Sequence, residues 1–387
     1  MKFISADYIF TEKQRLEQDI VIIINEYNNK IIDIKSLTEI DSVLVENYQG
    51  IITPGFINAH CHLELSSLFQ KIPNTGDGLI SFLNQINSNK NELKLEAMIT
   101  ADHTMWNNGI QAVGDIVNTC HSIAAKKNSS ILYHSFVEAI GIESSCAVER
   151  LGYYKDILIE YDNNQLWSSL TWHAPYSCSF ELMNAIGDYD AAGYLMSVHN
   201  QETLSESRFF YDEENTLRDF AKQFLHTNSK LAITDKNVLA SWLPLINDDR
   251  KLLLVHNTFS IKSDFDVMKK MLKNITLCTC PQANLYIENK LPNYSAWIDS
   301  GLDITIGTDS LASNYGLCIW EEIKCIKEAN KDIGLVTLIT WATINGAKYY
   351  EWEDSIGSIA IGKSPGLVNI VLDNLENIKH SKAIRIL

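Results

Sequence analysis

Basic clusters, paired cysteines and long apolar runs are all missing from this 387-residue chain. No Lys/Arg run exceeds two residues, and 48 acids against 32 bases leave a formal charge of −16. Such a surface repels phosphate backbones, so no nucleic-acid partner is expected and a large polyanionic substrate is disfavoured. The eight cysteines form no C-x-x-C pair, and a chain of this size is not organised by so few disulfides. Cys278 and Cys280, a C-x-C, would share one face of a strand as small core residues. No segment approaches about 18 apolar residues, and the opening MKFISADYIFTEK lacks a signal-peptide run. A cytoplasmic protein without a membrane partner is therefore the expected class. The G-x-G-x-x-G of dinucleotide folds is absent as well.

What is present is an ordinary globular composition, 46% apolar and 21% charged. Its first fifty residues contain short β-rich pieces, FISADYIF, DIVIIINEYNNKIIDI and SVLVEN, with NEYNNK reading as a hairpin turn. The last stretch, SPGLVNIVLDNLENIKHSKAIRIL, is similar. These two ends, 1–50 and 360–387, are expected to assemble one small β-sandwich domain. Between them, residues 51–359 alternate strand-like and helix-like segments. The eight strand candidates are GFINAHCH, GIQAVGDI, ILYHSFVEAIG, QLWSSLTWHAP, YLMSVHNQE, KLLLVHNTF, ITLCTCPQAN and LDITIGTDS. Amphipathic stretches such as 79–108 and SDFDVMKKMLKN connect them. That alternation predicts an α/β fold, a (β/α)₈ TIM-type barrel.

Polar residues gather where these strands end, the face on which barrels build active sites. They are His60, His62, His173, His199, Glu202, His256 and Asp309. In H-x-H, residues i and i+2 of a strand share a face, so His60 and His62 can reach one ion. His199 and Asp309 would complete a set suited to zinc or iron. Taken alone, His199 also fits a hydrogen-bonded core histidine, and Asp309 in GTDS fits a turn or helix cap. Glu202 and His256 fall at the same rim, with a solvated loop acid as the plainer reading of Glu202.

The motifs PGFINAHCHLELS, WHAPYSCS, SVHNQETLSE, VHNTF, CPQANLYI, IGTDSLASN and ATINGAKYY followed by IGSIAIGKSPG occur in a family order. They resemble the amidohydrolase superfamily, in the branch of cytosine, guanine and S-adenosylhomocysteine deaminases and triazine chlorohydrolases. HCHLELS is also similar to deaminases of the futalosine route to menaquinone. The resemblance implies His60, His62, His199 and Asp309 as metal ligands. It makes Glu202 the residue that passes a proton to the substrate ring and His256 the one that holds the attacking water, with His173 against substrate. Asn284 matches a motif position beneath the site.

Two departures matter. Where many relatives carry a lysine that bridges two metals, this chain has His173, so one divalent ion is expected, zinc by preference and iron as an alternative. Glu138 is the nearby candidate for a second site. SPGLVNI also differs from the family's usual small residue and aspartate before that strand. The expected activity is release of ammonia from an amino-substituted heteroaromatic ring, such as an adenine-like base or nucleoside. Hydrolysis of a cyclic amide or chlorinated ring with the same metal is the enzyme alternative, and a non-catalytic metal-containing binding barrel is the other. The partner expected is a small-molecule substrate; dimers are common in the family, which adds a homodimer.

Overall fold

The structure is a computed structural model that describes residues 1–387 apart from 90–92, 190–192, 213, 225–236, 248 and 373. The N-terminal β-rich pieces form β1 (Lys2–Phe10), β2 (Leu16–Glu17), β3 (Ile20–Asn25), β4 (Lys30–Ser36) and β5 (Val45–Pro54). The expected NEYNNK turn lies between β3 and β4, which pair antiparallel. All eight strands expected in the middle form: β6 (Phe56–Cys61), β7 (Ile110–Val117), β8 (Leu132–Ala139), β9 (Trp167–Trp172), β10 (Leu195–Asn200), β11 (Lys251–His256), β12 (Ile275–Thr279) and β13 (Asp303–Ile306). The chain ends with β14 (Leu367–Val371) and β15 (Lys382–Arg385).

Both termini share one seven-stranded sheet, in the order β15-β14-β5-β1-β3-β4 with β2 beside β1. Alternating isoleucines explain it: Ile4, Ile22, Ile24, Ile31 and Ile52 meet in one apolar cluster, as β-branched side chains do on a pleated face. The strand β5 continues through Gly55 straight into β6, so this sheet anchors the start of the parallel region.

The middle strands form two parallel four-stranded sheets, β6-β7-β8-β9 and β10-β11-β12-β13. One face of both sheets supplies a single enclosed cluster that includes Ile57, Ala59, Ala112, Phe136, Leu253 and Val255. The opposite faces pack against the helices, with Val113, Leu170 and Leu277 meeting Tyr161, Trp242 and Trp320. Burial on both sides is why these strands read as almost continuously apolar. The stretch 79–108 gives helices Gly78–Asn89 and Leu95–Asn107, the residues between them including the undescribed 90–92. Among the described residues no helix is long and apolar enough to cross a membrane.

Hydrogen bonds join the outer strands of the two sheets where the chemistry would lie. His199 N donates to the carbonyl of His173 at 2.9 Å, and the amides of Thr308 and Asp309 both donate to the carbonyl of His60 at 3.0 Å. Asn58 reinforces the second join: its Nδ2 donates to Thr308 Oγ1 at 2.7 Å and its Oδ1 accepts from Thr308 N at 3.0 Å. Gly307 makes that approach possible, since a Cβ there would lie 2.8 Å from the Cβ of His60.

Candidate active site

Simple alternation along β6 would put Ile57, Ala59 and Cys61 on one face and both histidines on the other. The register shifts between Asn58 and Cys61, a β-bulge against β7. Ile57 and Ala59 face the enclosed cluster while Cys61 joins the helix-side one. The extra residue resets the phase, so His60 and His62 turn inward above Ala59. Bulges re-aim side chains in this way beside active sites.

The four expected ligands converge. His62 Nε2 lies 3.1 Å from His60 Nε2 and 3.3 Å from His199 Nε2. Asp309 Oδ1 is 3.4 Å from His62 Nε2 and 3.9 Å from His60 Nε2. Ligand atoms about 2.0–2.1 Å from a tetrahedral zinc would stand roughly 3.3 Å apart. This donor set therefore fits a small divalent ion. It fits electrically too: burial holds His60 and His199 well below the usual imidazole range and lowers His62, leaving neutral rings with lone pairs to offer. His199 Nδ1 sits 3.0 Å from the carbonyl of His173 and must carry the proton there, which turns the Nε2 lone pair toward the centre. Ser313 Oγ donates to Asp309 Oδ2 at 2.9 Å and orients that carboxylate.

Glu202 and His256 face each other, Oε1 to Nε2, at 3.6 Å. Asn284 Oδ1 accepts from His256 Nδ1 at 2.8 Å, so Asn284 orients His256 and contributes no ligand to the cluster. Burial, then the charges of Asp309 and Glu288, push the Glu202 carboxyl well above its ordinary range. Glu206 accepts from the Glu202 amide at 3.0 Å. His173 lines the same cavity, with Ser177 Oγ 2.9 Å from its Nδ1. Glu138 lies behind His199, 3.3 Å from Nδ1, on the side of the ring away from the other candidate ligands. Its carboxyl is pushed up to about 8 by burial, and Asn118 donates to its second oxygen at 3.1 Å. With His173 and His199 it forms a further group whose ligand atoms lie within 4.8 Å of one another, so the position expected for a second site is present beside the first.

Backbone strain gathers here as well. Gln201, His256, Asn257 and Asp309 all have positive φ, from 46° to 71°. Non-glycine residues in that region cost of order 1–3 kcal/mol each and persist where surroundings hold them. Asn200 Nδ2 donates to Asn257 Oδ1 at 2.8 Å, and the Asn257 amide donates to the Asn200 carbonyl at 2.9 Å.

The site opens into a cavity of about 490 Å³. One wall is polar, with Glu64, Asn118, Thr119 and Glu138; the other is apolar, with Leu79, Phe82, Leu83, Ile86 and Leu93. Glu64 was not among the candidates from the sequence, although it stands only two residues past His62 in HCHLE. Its oxygens accept from Thr119 Oγ1 at 2.6 Å and Asn118 N at 3.1 Å. Nothing in residue spacing alone separates it from a solvated loop acid.

Residues 51–385 match the Amidohydrolase family, and the chain belongs to it. It is thus a hydrolase of the class acting on carbon–nitrogen bonds other than peptide bonds. Its relatives include an adenosine deaminase of Helicobacter pylori, 26% identical over 84% of this chain and 80% of that protein. An aminodeoxyfutalosine deaminase of Nitratiruptor is 25% identical over 89% of this chain and 88% of its own length. Among solved structures, Helicobacter pylori aminofutalosine deaminase in complex with methylthio-coformycin superposes with a TM-score of 0.85. That match has 22% identity and covers 99% of this chain and 97% of the other.

Proposed function

We propose that this chain is a hydrolytic deaminase of adenine-like bases or nucleosides, working with one divalent ion, zinc by preference. The observation that carries the reading is the convergence of His60, His62, His199 and Asp309 next to the Glu202–His256 pair, all but His60 lining one cavity. We take 51–359 as the catalytic unit, its eight strands closed into a barrel, with 1–50 and 360–387 as the flanking β domain. Folding of that flanking sheet into a sandwich, a homodimeric assembly and a cytoplasmic location belong to the same reading.

His60, His62, His199 and Asp309 would hold the ion. When bound, such an ion lowers the pKa of a water molecule toward about 7. His256, with its Nδ1 proton directed to Asn284, presents Nε2 to that water and fixes its oxygen toward the ring carbon. Asp309 accepts a water proton at a carboxylate oxygen. Glu202 carries its proton to the ring nitrogen beside the amino-bearing carbon, which makes that carbon electrophilic. The water oxygen bonds to the carbon, the amino group takes up the proton that Asp309 received, and the C–N bond breaks with the electron pair leaving on ammonia, while the remaining hydroxyl proton passes to the Glu202 carboxylate and restores it. The product is the ring carbonyl. His173 holds the substrate against the polar wall, and the apolar wall covers the part of the molecule beyond the ring. His173, on β9's exit, stands where a bridging lysine would be needed for two metals, and this supports a count of one.

Ammonia release across aminopurines, aminopyrimidines and their nucleosides tests the reading. Turnover confined to adenine-type compounds is the expected result. No turnover of any amino-substituted ring by metal-replete protein would overturn it.

A further inference from the structure

Two buried charges lie outside the cavity, where the reaction has no direct use for them. Asp115 on β7 and Lys126 in the helix Ile123–Lys127 have no exposed side-chain surface, and Lys126 Nζ stands 2.6 Å from Asp115 Oδ2. Nζ also donates to Ser135 Oγ at 2.8 Å and lies 5.3 and 5.1 Å from the ring centroids of Tyr133 and Tyr161. The cation is thus held by a carboxylate, a hydroxyl and two aromatic rings. A buried ion pair is a weak stabiliser, since well-packed apolar groups of the same volume often serve as well. Its presence here calls for another role.

That role lies at the other carboxylate oxygen. Asp115 Oδ1 accepts from the amide of Leu63, the residue after His62, at 2.7 Å. Asp115 also pairs with Cys61 across β6 and β7, just beyond the bulge. A bulged strand carries one residue more than its partner, and a one-residue slip turns every side chain to the opposite face. Slippage here would swing His60 and His62 out of the site. Two side chains hold the bulged segment: Tyr350 Oη donates to the Ala59 carbonyl within it at 2.8 Å, and Asp115 holds Leu63 just beyond it. We propose that Asp115 is a positioning residue that locks the register of the H-x-H ligands through the Leu63 amide, with Lys126 the buried counter-charge that aims its carboxylate.

The inference rests on the metal-site reading above, and its test keeps the two apart. Removing one charge strands the other, so paired variants are needed. Asp115→Asn with Lys126→Met removes both charges but keeps an oxygen acceptor for Leu63. Asp115→Leu with Lys126→Met removes the acceptor too. Zinc affinity by chelator competition should stay within about 3-fold of wild type in the first pair and weaken about 10–100-fold in the second, the usual range for groups that orient ligands. The cobalt-substituted protein should show an altered visible spectrum in the second pair only. Hydrogen exchange at the Leu63 amide, read without any metal, should accelerate in the Leu/Met pair and not in the Asn/Met pair. Equal affinity and equal exchange in the two pairs would overturn the assignment, and so would equal loss in both. A wild-type chain that bound no divalent ion would overturn the metal reading instead, while the exchange comparison would still decide the role of Asp115.

Discussion

The terminal sheet and the strand-end rim use burial in opposite ways. In the sheet the buried polar residues are Ser5, Thr11, Thr53 and Asn369, all uncharged, and the interior is dominated by isoleucine. At the rim Glu64, Glu138, Glu202, Glu206 and Asp309 are all buried together with His60, His199 and His256. The sheet has the composition of a stabilising element. The rim is a stressed one, with Glu138, Glu202 and Glu206 pushed toward their neutral forms and left-handed backbone at His256 and Asp309. Stability and chemistry are therefore supplied by separate parts of this chain, and substitutions should sort accordingly.

The largest effect expected is from metal removal. Chelation should abolish turnover, and elemental analysis of protein purified without added metal should find about one ion per chain. Two stoichiometric ions would sink the mononuclear reading. Next comes Asp309→Asn, which keeps shape and an oxygen but loses charge and basicity. Activity should fall by on the order of 10³-fold or more, with partial metal retention and substrate binding kept within about 10-fold. Normal turnover would remove Asp309 from the proton path.

Glu202→Gln should keep the metal and lose about 10²-fold in kcat. Metal loss in that variant would make Glu202 a ligand, and unchanged kcat would return it to a loop acid. Asn284→Ala frees the His256 ring, and a drop of roughly 10-fold in kcat with unchanged metal content is expected. At the other pole of the comparison stands Ile24→Ala in the sheet. Ile24 is fully buried there, so thermal unfolding should show a loss of about 2–5 kcal/mol while kcat per folded molecule stays the same. A large change in kcat from that variant would break the division between the two regions.

Much of this was readable from the chain in one dimension. Apolar runs such as LLLV before His256 and ITIG before Asp309 fall in strands because both faces are buried, and the polar residue that ends each run falls at the strand exit. Strand-end position, together with the motifs shared with a known family, therefore located the candidate ligands His60, His62, His199 and Asp309, and the structure brings them together. Asn284 was recognised as part of a motif, but its hydrogen bond to His256 shows which task it has. Glu64 and Glu206 were missed, for a buried glutamate and a solvated one look alike until the walls around them are known.

The periodicity of the chain determined which segments become strands, because burial on one or two faces is a local property of the residue pattern. It determined too that histidines and acids end up at strand exits. What only the tertiary structure decided is their aim. The bulge at Asn58–Cys61 depends on the partner strand β7, which contributes Asp115 from 54 positions further on. The approach of Gly307 to His60 joins residues 247 positions apart. Such pairings carry no periodic trace in the sequence, since their energy appears only when distant segments exclude water between them.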